Sequence, residues 1–193
     1  MIAGILLAAG GARRFRSQKL VAPLDGMPVV RHSAAALASA VDRLIVVVGS
    51  QGSEVAAALG DVEAEIVENP EWESGLAGSL RCGISALSED VDAVVVTLGD
   101  QPTIDPGLIE AVVQVWGQFK PPIVTARYRN TPAHPVLFSR RMFGELLALE
   151  GDAGARLLID RTPSRVLNVD YDAPVPRDVD TPEDLDTLRG ESA

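Results

Sequence analysis

The stretch IAGILLAAGGARRFRSQKL, residues 2–20, decides how the rest of the chain is read. Its first half is apolar, small and short, as suits one buried strand. Gly10 and Gly11 end that pattern, and Arg13, Arg14, Arg16 and Lys19 then fall within seven residues. Glycines lack a Cβ, so the backbone there can come close to a ligand. Successive N–H groups in such a turn form a concavity for an anion, and the cations would neutralise a polyphosphate. The same letters also fit an ordinary strand-to-helix turn followed by a solvated basic loop. Spacing alone leaves both readings open.

Working outward, apolar strands alternate with helical segments. Residues 28–41 predict a helix with Pro28 at its first position, 43–50 a strand buried on both faces, 51–60 a short helix and 63–69 a short strand. Helix is predicted over 75–87, strand over 92–100, helix over 106–119 and strand over 121–128. Residues 134–138 read as a short strand, 139–151 and 153–160 as helices, and 165–171 as a strand. The chain closes with a helix over 181–190 that has Thr181 as N-cap and Gly190 as its stop. This alternation predicts a single domain over 1–193 of α/β class. Its core would be an open, mostly parallel, three-layer Rossmann-like sheet with helices on both faces. Ligands of such sheets bind beyond the carboxyl ends of the strands. That rule places residues 9–14 on the same rim as Gly99 and Asp100.

Composition narrows the function. The 193 residues carry 27 acidic and 17 basic side chains, a net charge of −10. So acidic a chain is a poor general partner for nucleic acid or an anionic membrane. If it takes an anionic substrate it must build a local positive site, and the first loop is the best candidate. Cys82 is the only cysteine, so no internal disulfide forms, which suits a reducing cytoplasm. The apolar start is too short to span a membrane and lacks a preceding basic region. We therefore expect a cytoplasmic protein. Only two residues are lysines, Lys19 and Lys120, against 15 arginines. A lysine in the glycine-rich loop suggests that a compact ammonium is wanted there.

Five further places in the chain are candidates for chemistry. In GDQPTIDP, 99–106, Asp100 ends a strand and Pro102 forces a turn. A carboxylate facing an arginine-rich phosphate loop suits Mg²⁺, which takes one or two carboxylates plus phosphate oxygens. Asp100 also fits a turn-capping role. In NPEWESGLAGSLRCG, 69–83, Asn69 and Ser79 are small polar groups and Gly75 and Gly78 permit close approach, as in a segment that reads a nucleobase. Close helix packing explains the same glycines, an ion pair explains Arg81, and Cys82 fits a core position. His134 lies between prolines in a loop, a place where side chains often contact substrate, whereas His32 lies inside a helix and reads as structural. GDAGAR, 151–156, offers a helix N-terminus to an anion, or simply Asp152 as a cap. Asp178 and Asp180 read as capping residues, with Asp180 the second candidate for a metal. No G-x-G-x-x-G follows the first strand, and Gly49 and Ser50 stand where a dinucleotide site wants an acidic residue. The P-loop, Cys/His metal clusters and the G-x-S-x-G elbow are also missing from the sequence.

Taken together, these residues resemble a known family. LAAGGARRFRSQK (7–19) resembles the first motif of the MobA-like nucleotidyltransferases, which have the nucleotide-diphospho-sugar transferase fold. GDQP (99–102) resembles the metal-binding motif of their molybdenum cofactor cytidylyl- and guanylyltransferase branch. The patterns at 69–80, 134–138, 151–156 and 180–185 match that branch in the same order. Ala12 and Arg16 depart from the family pattern, which has Ser or Gly and Gly at those places. The resemblance implies that Leu7, Ala8, Ala9, Gly10 and Gly11 hold a nucleoside triphosphate, with Arg14 and Lys19 on its phosphates. It implies that Asp100 binds Mg²⁺ and that Arg14, Lys19 and Asp100 are the catalytic groups. Asn69, Gly75 and Ser79 would border the nucleotide, and His134 would touch substrate; the acceptor would be a small phosphorylated molecule, molybdopterin by the branch it resembles, with sugar phosphates and other phosphorylated acceptors also open. Ala9 favours CTP over GTP, since guanylyl members usually have Gly there. A molybdoenzyme would be the protein partner, with nucleic acid and membrane excluded. Two other readings stay open: an NAD(P)-dependent oxidoreductase on a similar sheet, and a non-catalytic factor that hands a cofactor to a molybdoenzyme.

Overall fold

Runs of valine, isoleucine and leucine with no polar alternation can only be strands covered on both sides, and the computed structural model has that architecture. It describes residues 1–10, 19–151 and 154–191. The elements in chain order are β1 (Ile2–Ala8), β2 (Pro23–Leu24), β3 (Met27–Pro28), α1 (Val29–Ala38), β4 (Arg43–Val48), α2 (Gly52–Ala58), β5 (Glu65–Glu68) and α3 (Leu76–Ser85). They continue with β6 (Ala93–Leu98), α4 (Pro106–Phe119), β7 (Ile123–Tyr128), β8 (Thr131–Ser139), α5 (Phe143–Leu147), α6 (Arg156–Arg161), β9 (Val166–Tyr171) and α7 (Pro182–Glu191).

Among the described residues, seven strands form one sheet in the order β5-β4-β1-β6-β8-β7-β9. β1 is parallel to β4 and β6, and β7 to β9, while β8 runs antiparallel between β6 and β7. The chain winds from β1 out to β5 and then crosses back to β6 on the other side of β1. Strand order therefore reverses at β1, where open α/β sheets leave a crevice.

Side chains alternate across the sheet. Leu6, Val46 and Val95 face Leu37, Ile109, Val112 and Trp116 of α1 and α4. Ile5, Ile45 and Val94 face Leu80, Ile84 and Leu146 of α3 and α5. Each such side chain contributes about 1.5–3 kcal/mol on burial, so both layers are held by apolar contact. The layers are tight: a Cβ on Gly83 of α3 would lie 2.9 Å from Ile5 Cγ2 and 3.1 Å from Val47 Cγ2.

Three features depart from the sequence expectation. A two-residue hairpin, β2–β3, precedes α1, turning through Asp25 (φ 50°) and Gly26 (φ 83°). Asp-Gly is a strong hairpin signal, but strands of two residues carry no periodicity to detect. β8 extends over nine residues rather than five, because its first half pairs with β7 through the Arg129–Asn130 turn (φ 45° and 75°). The helix expected over 139–151 contracts to a 3-10 turn and the five-residue α5.

Gly83→Val should overfill the α3–sheet layer and lower stability by about 1–3 kcal/mol. Urea unfolding should show the loss in midpoint with little change in slope; an unchanged midpoint would contradict the packing described.

Candidate active site

The carboxyl ends of β1 and β6 meet beneath a cleft of about 340 Å³. It is lined by Leu7, Ala8, Ala9 and Gly10 from the end of β1, and by Leu98 and Asp100 from the end of β6. The α3 side adds Trp72, Glu73, Gly75, Leu76 and Ser79, and Lys19 with Leu20 closes the remaining edge. A larger groove of about 750 Å³ opens at the opposite rim, among Asp42, Asp61, Glu63 and Glu65. Open α/β sheets bind ligands beyond the carboxyl ends of their strands, so the smaller cleft is the better site.

Lys19 follows the first loop on a short 3-10 turn, Lys19–Val21. Its ammonium Nζ donates to Asp100 Oδ2 at 2.6 Å and to Asp180 Oδ1 at 2.8 Å. Only 11% of the lysine side chain is exposed. Burial lowers its pKa, but the attraction and hydrogen bonds of Asp100 and Asp180 exceed that effect and hold it above the ordinary lysine value. Burial pushes the Asp100 carboxyl up, the neighbouring Asp178 adds to this, and Lys19 opposes it.

Asp180 reaches the site on a strap that leads into α7. The Val179 amide donates to Asp100 O at 2.9 Å, and Gln101 Nε2 donates to Asp178 Oδ1 at 2.8 Å. Val179, Leu185 and Leu188 pack on Ala22, Leu24 and Val29 beside the β2–β3 hairpin. Asp184 Oδ2 accepts from the amides of Asp180 and Thr181 at 3.0 and 2.7 Å, which is a capping box at the start of α7. So Asp180, unlike Asp178, turns to Lys19.

On the other wall, Gly75 has φ 105° and ψ −179°, a conformation restricted to glycine. It lets the chain turn into α3 at the cleft edge. Gly49 lies where a Cβ would come 2.9 Å from Ala9 O and 3.0 Å from Trp72 Cγ. The missing side chain seats Trp72 against the end of β1. Within the 69–83 motif nothing in the spacing or neighbours of Trp72 marks it for the site. Asn69 does not line the cleft. It is buried, with its Nδ2 donating to Ser79 Oγ at 3.1 Å and its Oδ1 accepting from the Glu71 amide at 3.0 Å, so it braces the segment that carries Ser79.

His134 stands on β8 next to the end of β6, half-buried. Burial lowers its pKa to about 4, and only the charge of Asp100 opposes this. Its imidazole is therefore neutral near pH 7. His32, in contrast, sits within 3.0 Å of the Leu24 carbonyl and supports the hairpin. Gly11, Ala12, Arg13, Arg14, Arg16 and Asp152 lie outside the described residues.

A cleft at the strand-order reversal, with a lysine and two carboxylates on its edge, is the place where an open α/β sheet takes its ligand. The chain belongs to the MobA-like NTP transferase family: that domain matches residues 4–166. It is 28% identical to nicotine blue oxidoreductase of Paenarthrobacter nicotinovorans over 97% of this chain and 93% of that protein. It is 34% identical to a probable molybdenum cofactor guanylyltransferase of Haloferax mediterranei over 55% of this chain and 51% of that one. The crystal structure of Rv0371c from Mycobacterium tuberculosis H37Rv superposes with a TM-score of 0.88 at 32% identity, covering 98% and 97% of the two chains. The manganese complex of Rv0371c superposes with a TM-score of 0.83 at 31% identity, covering 100% and 99%.

The His134 pKa gives a signed pH prediction. Between about pH 4 and 6.5 the unfolded chain binds a proton at this residue that the folded chain refuses, so stability is lost as pH falls through that window. Raised Asp100 acts in the opposite sense, so the parent curve mixes both. His134→Gln should lose the histidine part, and its stability should fall by about 1–3 kcal/mol less than the parent's from pH 6.5 to 4. Parallel curves from denaturant titrations would refute the assignment.

Proposed function

We propose that this protein transfers a nucleotidyl group, CMP by preference, from a nucleoside triphosphate to a phosphorylated acceptor of the molybdopterin class, with pyrophosphate as leaving group. The observation that carries this is the Lys19 ammonium within 2.6 and 2.8 Å of two carboxylates at the mouth of the cleft. An acceptor phosphate is already ionised at neutral pH, so its oxygen attacks the α-phosphorus without a strong base. The bond from that phosphorus to the bridging oxygen breaks in line with the attack. Catalysis then comes from positioning and from fixed charge.

Asp100 and Asp180 would hold a divalent cation. They offer hard oxygen donors close enough to share one ammonium, which suits Mg²⁺ or Mn²⁺. The ion supplies charge neutralisation on the phosphates. With Asp100 and Asp180 engaged in this way, Lys19 would be available to pair with a phosphate oxygen. Arg14 and the amides near Gly11 are proposed to hold the rest of the triphosphate. Ser79 and the backbone at Gly75 border the base and sugar. Ala9, which lines the cleft, stands where guanylyl members of the family usually have Gly, and this supports CTP. His134 is proposed to contact the acceptor as a neutral imidazole.

A second reading rests on the relative named nicotine blue oxidoreductase, which aligns along nearly the whole chain. Against it, β4 is followed by Gly49 and Ser50, with no carboxylate for a ribose. A hydride-transfer assay with NADPH and an electron-accepting dye separates the two readings.

Lys19→Ala and Asp100→Ala should each reduce pyrophosphate release by about 10²–10³-fold, with circular dichroism unchanged. Near-parental turnover in Asp100→Ala would remove the metal assignment. Among CTP, GTP, ATP and UTP with Mg²⁺, CTP at 100 times its Kd should add about 2.7 kcal/mol to stability. The absence of a thermal shift with any nucleotide would overturn the transferase reading.

A further inference from the structure

β7 and β8 pair in register from Ile123↔Phe138 to Thr125↔Val136, and the pairing then resumes at Ala126↔Ala133. Two residues of β8, His134 and Pro135, have no partner on β7, so they form a bulge. Bulges re-aim side chains and are common beside active sites. The bulge falls where β8 passes the end of β6, beside Asp100.

Two side chains of β7 grip this bulge. Tyr128 Oη donates to the carbonyl of His134 at 2.8 Å, and Thr125 Oγ1 donates to the carbonyl of Ala133 at 3.3 Å. Tyr128 is only 2% exposed. Its ring meets Tyr171 of β9 edge-to-face at 5.7 Å and 90°. The Tyr171 hydroxyl in turn donates to Asp105 Oδ2. Asp105 also caps α4, accepting from the Gly107 amide at 2.8 Å through Oδ1. A chain of contacts thus runs from the start of α4 through two tyrosines to the backbone of His134.

We infer that Tyr128 is a positioning residue that fixes the β8 bulge and aims the His134 imidazole at the acceptor side of the cleft. The inference rests on the acceptor role of His134 proposed above. A simple packing tyrosine would need only its ring. Here the hydroxyl reaches a carbonyl that the bulge has removed from the β7–β8 ladder, and a buried carbonyl left without a donor is costly. The Tyr171–Asp105 contact holds the Tyr128 ring in one orientation, so the hydroxyl is preset.

Tyr128→Phe keeps the ring and deletes the hydroxyl, and its melting curve checks that it folds. With only two histidines, the imidazole NMR signals of the free protein separate readily, and His32 serves as internal reference. We expect the His134 signals to move toward those of a solvated imidazole in Tyr128→Phe and, less far, in Tyr171→Phe, while His32 stays put. With CTP and molybdopterin as substrates, Tyr128→Phe should raise the acceptor KM about three- to tenfold and leave the CTP KM unchanged. Combined with His134→Ala it should add nothing to the effect of His134→Ala alone. Unmoved His134 signals and an unchanged acceptor KM in Tyr128→Phe, beside a raised KM in His134→Ala, overturn the positioning role and leave the acceptor reading standing. An acceptor KM unaffected by His134→Ala overturns the acceptor reading itself, whatever the imidazole signals do.

Discussion

One ammonium held between two carboxylates sets the constraint that the rest of this protein satisfies. Lys19, Asp100 and Asp180 come from the first loop, the middle strand of the sheet and the strap before the last helix. A buried ion pair adds little net stability, because removing the charges from water offsets their attraction. The charges therefore do not hold the strap. The apolar cluster of Leu24, Val29, Val179, Leu185 and Leu188 does, with each side chain contributing about 1.5–3 kcal/mol. Hydrophobic contact brings the charges together, and the charges remain available for chemistry.

That arrangement also explains how a chain with net charge −10 can receive an anion. Two carboxylates at the mouth of a cleft would repel a triphosphate at short range, where interior charges interact strongly. Lys19 screens them in the free protein. In the proposed reading, a divalent cation held by Asp100 and Asp180 would do so more completely and leave the ammonium free for phosphate. The same side chains are thus compatible with both the empty and the loaded cleft, which is why a lysine with three rotatable donors suits the position better than a planar arginine.

Much of this was legible in the sequence. Continuous valine runs at 46–48 and 94–96 announced two-sided strands, and the small residues that end β1 announced a rim where the chain can come close to a ligand. Asp100 was legible because it ends an apolar strand and precedes a proline. Asp180 was only half legible. Its motif reads as a helix cap, and the carboxylate that caps α7 is Asp184 instead. Its place beside Lys19 depends on an apolar cluster joined from residues more than 150 positions apart. Nothing in local spacing encodes that. The two-residue hairpin, the Trp72–Gly49 contact and the β8 bulge were hidden for the same reason. Each is a tertiary fit between segments that look ordinary alone. Asn69 shows the converse: its residue type suggests base reading, while its burial makes it a brace for Ser79.

Sheet order carries the last step. β6 lies between β1, which floors the cleft, and β8, which bears His134. Neighbouring strands are about 4.8 Å apart, so β1 and β8 are separated by about 10 Å. In the proposed reading, an acceptor beside His134 would lie about that far from a nucleotide over β1. Asp100 ends the strand in the middle and faces both sides. An antiparallel β8 is needed for this geometry. It descends from the rim rather than rising to it, so its first residues, not its last, stand beside Asp100. The bulge then turns one of them, His134, out of a ladder that would otherwise fix its direction by strand alternation alone. The departure from an all-parallel sheet is thus what brings His134 to the rim, beside the end of β6.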